Sequence, residues 1–390
     1  MANTIMATYS PLPVTFERGE GAYLWDANNK QYLDAISGIA VCSLGHARPE
    51  VAQAIADQAA KLVHTSNLYQ IDLQQKLADK LCGLSGLDEV FFSNSGTEAN
   101  EAAIKLARLY ASKKNISNPE IVVMESSFHG RTLAALSATG NTKIQQGFEP
   151  LVSGFIRVPY NDFDAIEALV ESNPNIVAVL VEPVQGEGGV NIPAESYLTK
   201  ISQLCDQQDW LFMLDEIQTG MCRTGKWFAF QHQNIKPDVM TLAKALGNGV
   251  PIGACMASGR AKGVFTAGTH GSTFGGNPLA CRAALAVIDV MQTMQLDKVA
   301  SSLGTYLVDG FTEQLSIEGI TSIRGKGLMI GIELEKDCAE LVGLALQQGV
   351  LINVTANKVV RLLPPLILTT EQADELINTV SSLIKQFIST

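Results

Sequence analysis

Side chains suited to amine chemistry lie just beyond several apolar runs of this 390-residue chain. Lys244 follows "DVMTLA" and is set among Ala, Leu and Gly in "LAKALGNGVPIGA". Burial among such neighbours disfavours the ammonium form and frees a neutral amine for Schiff-base formation. A lysine snorkelling from a helix start would instead keep its charge in water. Asp215, Glu216 and Gln218 end the run "WLFML". Burying an ionised carboxylate is costly unless a cation or hydrogen-bond donors meet it, so Asp215 must reach solvent or face a partner. After "EVFF" comes "SNSGTEAN", where Ser95, Gly96 and Thr97 offer hydroxyls and backbone N–H groups at a helix start, as an ordinary cap or as a cradle for an anion. After "EIVVM" come Phe128, His129 and Arg131 in "ESSFHGRT". There an aromatic face could stack on a planar ring and a guanidinium could hold a carboxylate, or the pair could serve core packing and a surface ion pair.

Taken together, an anion cradle, a stacking face, a carboxylate, an amide and a lysine prone to lose its charge match the demands of pyridoxal 5′-phosphate. The cradle suits the phosphate, the acid the pyridine nitrogen, the amide the ring hydroxyl and the amine the aldehyde. On this reading Asp215 meets a pyridinium N–H, whose charge offsets the carboxylate's desolvation. The competing reading, an α/β nucleotide-binding protein without lysine chemistry, would call for a G-x-G-x-x-G after a first strand or a G-x-x-x-x-G-K-[ST], and the chain has neither. His46, His64, His129, His232 and His270 form no i, i+4 pair, so no metal site is expected.

These residues need elements that end together. "EVFF" at 89–92, "EIVVM" at 120–124, "IVAVLVEPV" at 176–184, "WLFML" at 210–214 and "DVMTLA" at 238–243 are continuous apolar runs without period-two alternation. Such runs predict strands covered on both faces, hence a parallel sheet with crossover helices and an α/β fold whose ligands bind beyond the strand ends. From Thr97, "TEANEAAIKLARLY" places Ala99, Ala102, Ala103, Leu106 and Tyr110 on one helical face. In the last hundred residues "GKGLMIGIEL" and "VVRLLPPL" read as strands and "TTEQADELINTVSSLIKQFI" as a closing helix, with Thr369 and Gln372 at capping-box spacing. The expected division is an N-terminal segment (1–48) packing with the small domain, a large domain (49–280) and a small α+β domain (281–390).

Composition narrows the partners. Lys and Arg number 28 against 39 Asp and Glu, a net charge of −11, and no basic block occurs, so neither nucleic acid nor an anionic membrane is an expected partner. Seven scattered cysteines without a C-x-x-C pair indicate neither a disulfide framework nor a zinc knuckle and fit a reducing cytoplasm. The start "MANTIMATYSPLPV" lacks the basic and apolar regions of an export signal, and no run of about 18 apolar residues suggests a membrane span.

The stretches "FSNSGTEANEAAIKLAR", "FHGRTLAALSATG", "VEPVQGEGGV", "LDEIQTGMCRTGKWFAFQ" and "LAKALGNGVPIGA" resemble the class-III pyridoxal-phosphate aminotransferases of fold type I, from about Tyr9 to the C-terminus. The resemblance implies a mostly parallel central sheet in a large domain, a smaller α+β domain, and pyridoxal 5′-phosphate as cofactor. It implies that Lys244 carries the cofactor and shuttles the proton, that Asp215 pairs with the pyridine nitrogen, that Gln218 meets the ring hydroxyl and that Phe128 stacks beside His129. Ser95, Gly96 and Thr97 would hold the phosphate. Thr273 in "GSTFGGNP" would reach the phosphate of a neighbouring subunit, making a homodimer with sites at its interface, and Ser272 beside it would contact substrate. Arg131 would bind the carboxylate far from the reacting amine and Arg361 the α-carboxylate of glutamate, with Glu182 pairing Arg361 when no carboxylate is there. Members that act on unacylated ornithine carry a tyrosine where this chain has Ile39, which tilts the resemblance towards N-acetylornithine as donor and 2-oxoglutarate as acceptor. Succinylornithine, N-succinyl-diaminopimelate, ornithine and 4-aminobutyrate share the cofactor residues and stay open as donors.

Overall fold

A computed structural model describes residues 4–389. The continuous apolar runs form strands buried on both faces of a seven-stranded sheet. Its order is Glu89–Ser93, Gly253–Ala257, Val239–Leu242, Leu211–Asp215, Ile176–Val181, Glu120–Met124 and Phe155–Val158. Neighbours pair in parallel except Gly253–Ala257, which runs antiparallel to both of its neighbours. Two of these strands escape the sequence pattern. "GACMA" contains no β-branched residue, and Arg157 interrupts the apolar run of the edge strand "FIRV". The reversal of Gly253–Ala257 follows from its short connection to Leu242, because a parallel return needs about a dozen residues or more.

Helix Gly96–Lys113 lays Ala99, Ala102, Ala103, Leu106 and Tyr110 against this sheet. Ser95 caps it in extended conformation, its side chain accepting Glu98 N at 3.2 Å. That cap lies at the edge where the parallel strands end.

The C-terminal sheet is antiparallel, in the order Ile320–Lys326, Met329–Leu334, Val359–Leu362 and Asn353–Thr355. Helix Thr370–Ile388 closes the chain, and its Thr369–Gln372 capping box forms as the spacing implies. A third sheet joins both ends of the chain: Phe16–Glu20, Tyr23–Asp26 and Gln31–Asp34 are completed by Val350–Leu351, parallel to Gln31–Asp34.

Beyond that sheet, Ser37, Gly38, Ile39 and Ala40 all have positive φ. A β-branched residue at φ 66° carries strain of roughly 1–3 kcal/mol, so the surroundings must impose it. Asp34 Oδ1 accepts Ile36 N and Ser37 N, and Ser37 Oγ donates to Leu363 O at 2.7 Å. This left-handed turn delivers Val41 to the cavity described next.

Among the described residues no single helix is long and apolar enough to cross a membrane, no cluster of metal-ligating side chains occurs, and the seven cysteines are free.

Candidate active site

A cavity of about 360 Å3 opens where the strand ends meet the N-terminal segment. It gathers Ser95, Gly96, Thr97, Phe128, His129, Arg131, Glu182, Asp215, Gln218 and Lys244 from separate stretches of sequence. Arg361, Ser272 and Thr273 are not part of its lining.

The cradle sits at the start of helix Gly96–Lys113, where free backbone N–H groups and the helix dipole favour an anion. Thr97 Oγ1 lies 2.8 Å from Thr132 Oγ1. Gly130, at φ 137°, closes over it, and a Cβ there would come within 2.2 Å of Thr97 Oγ1, so only glycine lets the Phe128 loop approach the cradle.

Asp215 is 4% exposed and meets its desolvation with hydrogen-bond donors. Oδ2 accepts Asn100 Nδ2 at 2.7 Å and His129 Nδ1 at 2.8 Å, while Oδ1 accepts only Ile217 N, at 3.1 Å. His129 thus lies beneath Asp215. Burial opposes a charge on the imidazole, but the hydrogen bond and charge of Asp215 outweigh it and raise its pKa. Gln218 reaches the same cavity with a buried Oε1 that has no partner among the described residues. Gly186 makes room for it, since a Cβ there would stand 2.0 Å from that oxygen.

Lys244 opens a short 3-10 turn at φ 45°. Burial lowers its pKa, helped by the Arg361 charge and opposed by Glu187, Asp215 and Glu182. Pyridoxal phosphate fits this donor set: an N–H-rich helix start, an open acceptor on Gln218, an Asp215 oxygen with capacity for a second donor, and a lysine amine.

The expected pairing of Arg361 with Glu182 is not what the structure contains. Arg361 Nη1 lies 2.6 Å from Glu187 Oε1, five residues further along "VEPVQGEGGV". Its Nε and Nη2 donate to Asn353 Oδ1 at 3.1 and 2.7 Å. Glu182 instead accepts Phe128 N at 3.1 Å, and burial pushes its carboxyl up to about 8. The physical reason is the path of the chain. Strand Ile176–Val181 ends at Glu182 beside the Phe128 loop, and the following turn carries Glu187 across to the C-terminal sheet, where the Thr355 hydroxyl donates to Glu187 O.

Arg131 is exposed, 5.9 Å from the Phe128 ring centroid, and has no carboxylate partner among the described residues. Ser272 Oγ accepts Gly275 N at 3.0 Å, and Thr273 is exposed and does not line the cavity. Ile39 is 37% exposed, outside the lining to which Val41 contributes. Sequence reasoning missed Glu187 and Asn100. Glu187 stood in a motif with two glutamates, and Asn100 falls on the buried helical face between Ala99 and Ala103.

The family model described as Aminotransferase class-III matches residues 4–384. The acetylornithine aminotransferase of Nitrosomonas europaea is 55% identical over 385 residues, covering 98% of each chain. Among solved structures, an ornithine aminotransferase from Toxoplasma gondii, described with partial occupancy of PLP at the active site, superposes with a TM-score of 0.94 at 35% identity, covering 98% of this chain and 91% of that one. Acetylornithine aminotransferase from Elizabethkingia anophelis gives a TM-score of 0.87 at 36% identity, covering 97% of this chain and 96% of its own.

Proposed function

The chain belongs to the class-III aminotransferases, and on that premise we propose that it moves the terminal amino group of N2-acetyl-L-ornithine to 2-oxoglutarate. The products are N-acetyl-L-glutamate 5-semialdehyde and L-glutamate, a step of arginine biosynthesis. Its cofactor is pyridoxal 5′-phosphate, which when bound supplies an aldehyde for the amine and a ring that takes up electron density from the neighbouring carbon.

The chain's own residues divide the remaining work. Ser95, Gly96 and Thr97 would hold the phosphate, Phe128 would cover a ring face, Asp215 would serve the ring nitrogen and Gln218 Oε1 the ring hydroxyl. Lys244 Nζ would hold the cofactor's aldehyde carbon and, once released from it, would serve as the base that moves the proton from the amine-bearing carbon. Arg131 receives the distal carboxylate that both donor and acceptor possess.

The observation that carries this reading is the Arg361–Glu187 ion pair at 2.6 Å. A donor reacting through its terminal amine brings no carboxylate to that place, and Glu187 neutralises the arginine there. The 2-oxoglutarate acceptor does bring one and takes Glu187's position. Ile39 in the turn that leads to Val41, where ornithine-specific members carry a tyrosine hydroxyl, favours an acylated donor. Steady-state kcat/KM for N-acetylornithine, succinylornithine, ornithine and 4-aminobutyrate tests this. N-acetylornithine should exceed ornithine by about tenfold or more, equivalent to about 1.4 kcal/mol. Faster turnover of ornithine or 4-aminobutyrate would overturn the donor and leave the enzyme class standing.

The enzyme is taken to work as a cytoplasmic homodimer. Leu62, Val63, Leu68, Tyr69 and Phe274 are exposed on the face that carries Thr273. Their loops are joined by Asn67 Nδ2, which donates to Ser272 O and Gly275 O at 3.0 and 3.1 Å, and a large exposed apolar patch of this kind favours association. Sedimentation equilibrium on the holoenzyme checks the state, and a monomer would overturn it.

A further inference from the structure

We infer that Asn100 is a positioning residue for Asp215: by tying Oδ2 of the carboxylate to the helix bearing the phosphate cradle, it leaves Oδ1 to face the cofactor's ring nitrogen. The inference rests on the reading above that Asp215 faces the ring nitrogen.

The hydrogen-bond inventory carries it. Asn100, Thr241, His129 and Asp215 are all buried. Asn100 Nδ2 donates both to Asp215 Oδ2 and to His129 O, each at 2.7 Å, while its Oδ1 accepts the Thr241 hydroxyl at 2.8 Å. The amide therefore has one tolerable orientation, because a flipped group would press its oxygen against a carboxylate and a carbonyl. With His129 Nδ1 also on Oδ2, that oxygen is occupied by two donors and points into the protein. Oδ1 keeps a single backbone donor at 3.1 Å and has unfilled capacity for another N–H. Asn100 lies one helical turn beyond Gly96, so the groups that would hold the phosphate and the ring nitrogen are fixed relative to each other by one side chain.

Removing the amide would leave the Thr241 hydroxyl without its acceptor and Asp215 Oδ2 with His129 alone, so the carboxylate would be less strictly oriented. The loss should therefore appear only with ligands that possess a ring nitrogen. The full chain, stripped of cofactor, is titrated with pyridoxal phosphate and with its 1-deaza analogue, in which the nitrogen is replaced by CH, following tryptophan fluorescence. Wild type should prefer pyridoxal phosphate. Asn100→Ala should lose about tenfold in affinity for pyridoxal phosphate, as expected for a lost hydrogen bond to a charged group, with no change for the analogue. Thr241→Val, which keeps side-chain shape and removes only the donor to Asn100 Oδ1, should lose less in the same direction, and it decides the matter if Asn100→Ala does not fold. Equal losses for both ligands, or undiminished discrimination in the variants, would overturn the role of Asn100. Absence of discrimination in wild type would instead overturn the assignment of Asp215, and this inference with it.

Discussion

Asp215 and Glu187 are carboxylates lining one cavity, yet they are held in opposite ways. Asp215 is buried and accepts three directional hydrogen bonds, from Asn100, His129 and the Ile217 backbone. Glu187 has a side chain 36% exposed and is held there by one cation, Arg361. Turning Asp215 away would strand several buried donors at once, which fixes it. Glu187 is partly exposed and can turn to water once another carboxylate replaces it beside the buried Arg361, whose Nε and Nη2 stay on Asn353 Oδ1 throughout. On the proposed assignment, the cofactor end of the pocket is the firmly held one and the substrate end the one able to exchange partners, as an enzyme needs when two different ligands visit one cofactor in turn.

The largest effect should come from the residue at the rigid end that makes the covalent bond. Lys244→Ala should abolish turnover and the borohydride-reducible attachment of cofactor while leaving the fold intact, because Lys244 is the lysine amine lining this cavity. Peptide mapping after reduction checks it, and cofactor found on another lysine would remove Lys244 from its role. Asp215→Asn should be next. Its shape is kept but its charge is lost, so kcat should fall by roughly a hundred- to a thousandfold, the usual scale for removing one preorganised electrostatic partner. A rate near wild type would mean that the rigid end is architecture alone.

The same contrast explains what was legible in the sequence. Residues at the rigid end follow strands whose apolar runs are unmistakable, so Asp215, Lys244 and the Ser95–Thr97 cradle could be placed together before any coordinates. Strand Gly253–Ala257 was invisible because "GACMA" has neither β-branched residues nor alternation. At the exchangeable end, Glu182 and Glu187 have the same chemistry five residues apart, and only the turn of the chain after Val181 decides which one reaches Arg361. A local pattern carries no such information. Asn100 is an intermediate case: helical periodicity puts it on the buried face, but nothing in the sequence says that Asp215 is opposite.

At the exchangeable end, the two arginines should separate the half-reactions. Arg361→Ala should slow the 2-oxoglutarate half-reaction by about one to two orders of magnitude, since a hydrogen bond to a charged group contributes roughly 1.5–3 kcal/mol and about 1.4 kcal/mol is tenfold. It should largely spare the N-acetylornithine half, whose carboxylate lies elsewhere. Arg131→Ala should harm both halves, because the distal carboxylate is common to donor and acceptor. Single-turnover stopped-flow measurements on each half report these effects separately, and equal losses in both halves for Arg361→Ala would remove the distinction between the ends.

The smallest effect should come from Glu187→Gln, and its sign is the sharpest test of the comparison. The amide still fills the space beside Arg361 but no longer neutralises it. For 2-oxoglutarate there is no ion pair left to break, so its half-reaction should hold or improve. Arg361 is buried and Glu187 only partly exposed, but the glutamine keeps a hydrogen-bond acceptor beside the guanidinium, so the gain should stay within about tenfold, equivalent to about 1.4 kcal/mol. For N-acetylornithine, the uncancelled guanidinium now attracts the donor's only carboxylate to the wrong end of the pocket, where the acylated α-nitrogen cannot react. Nonproductive binding of this sort lowers kcat and KM together and leaves kcat/KM nearly unchanged. A donor with a free α-amine, such as ornithine, should in the same variant begin to react at its α-carbon as well, and the ratio of α- to terminal-amine products measures the shift. If Glu187→Gln slowed both half-reactions as severely as Asp215→Asn, Glu187 would be as fixed as Asp215, and the division of the pocket into a rigid and an exchangeable end would fail.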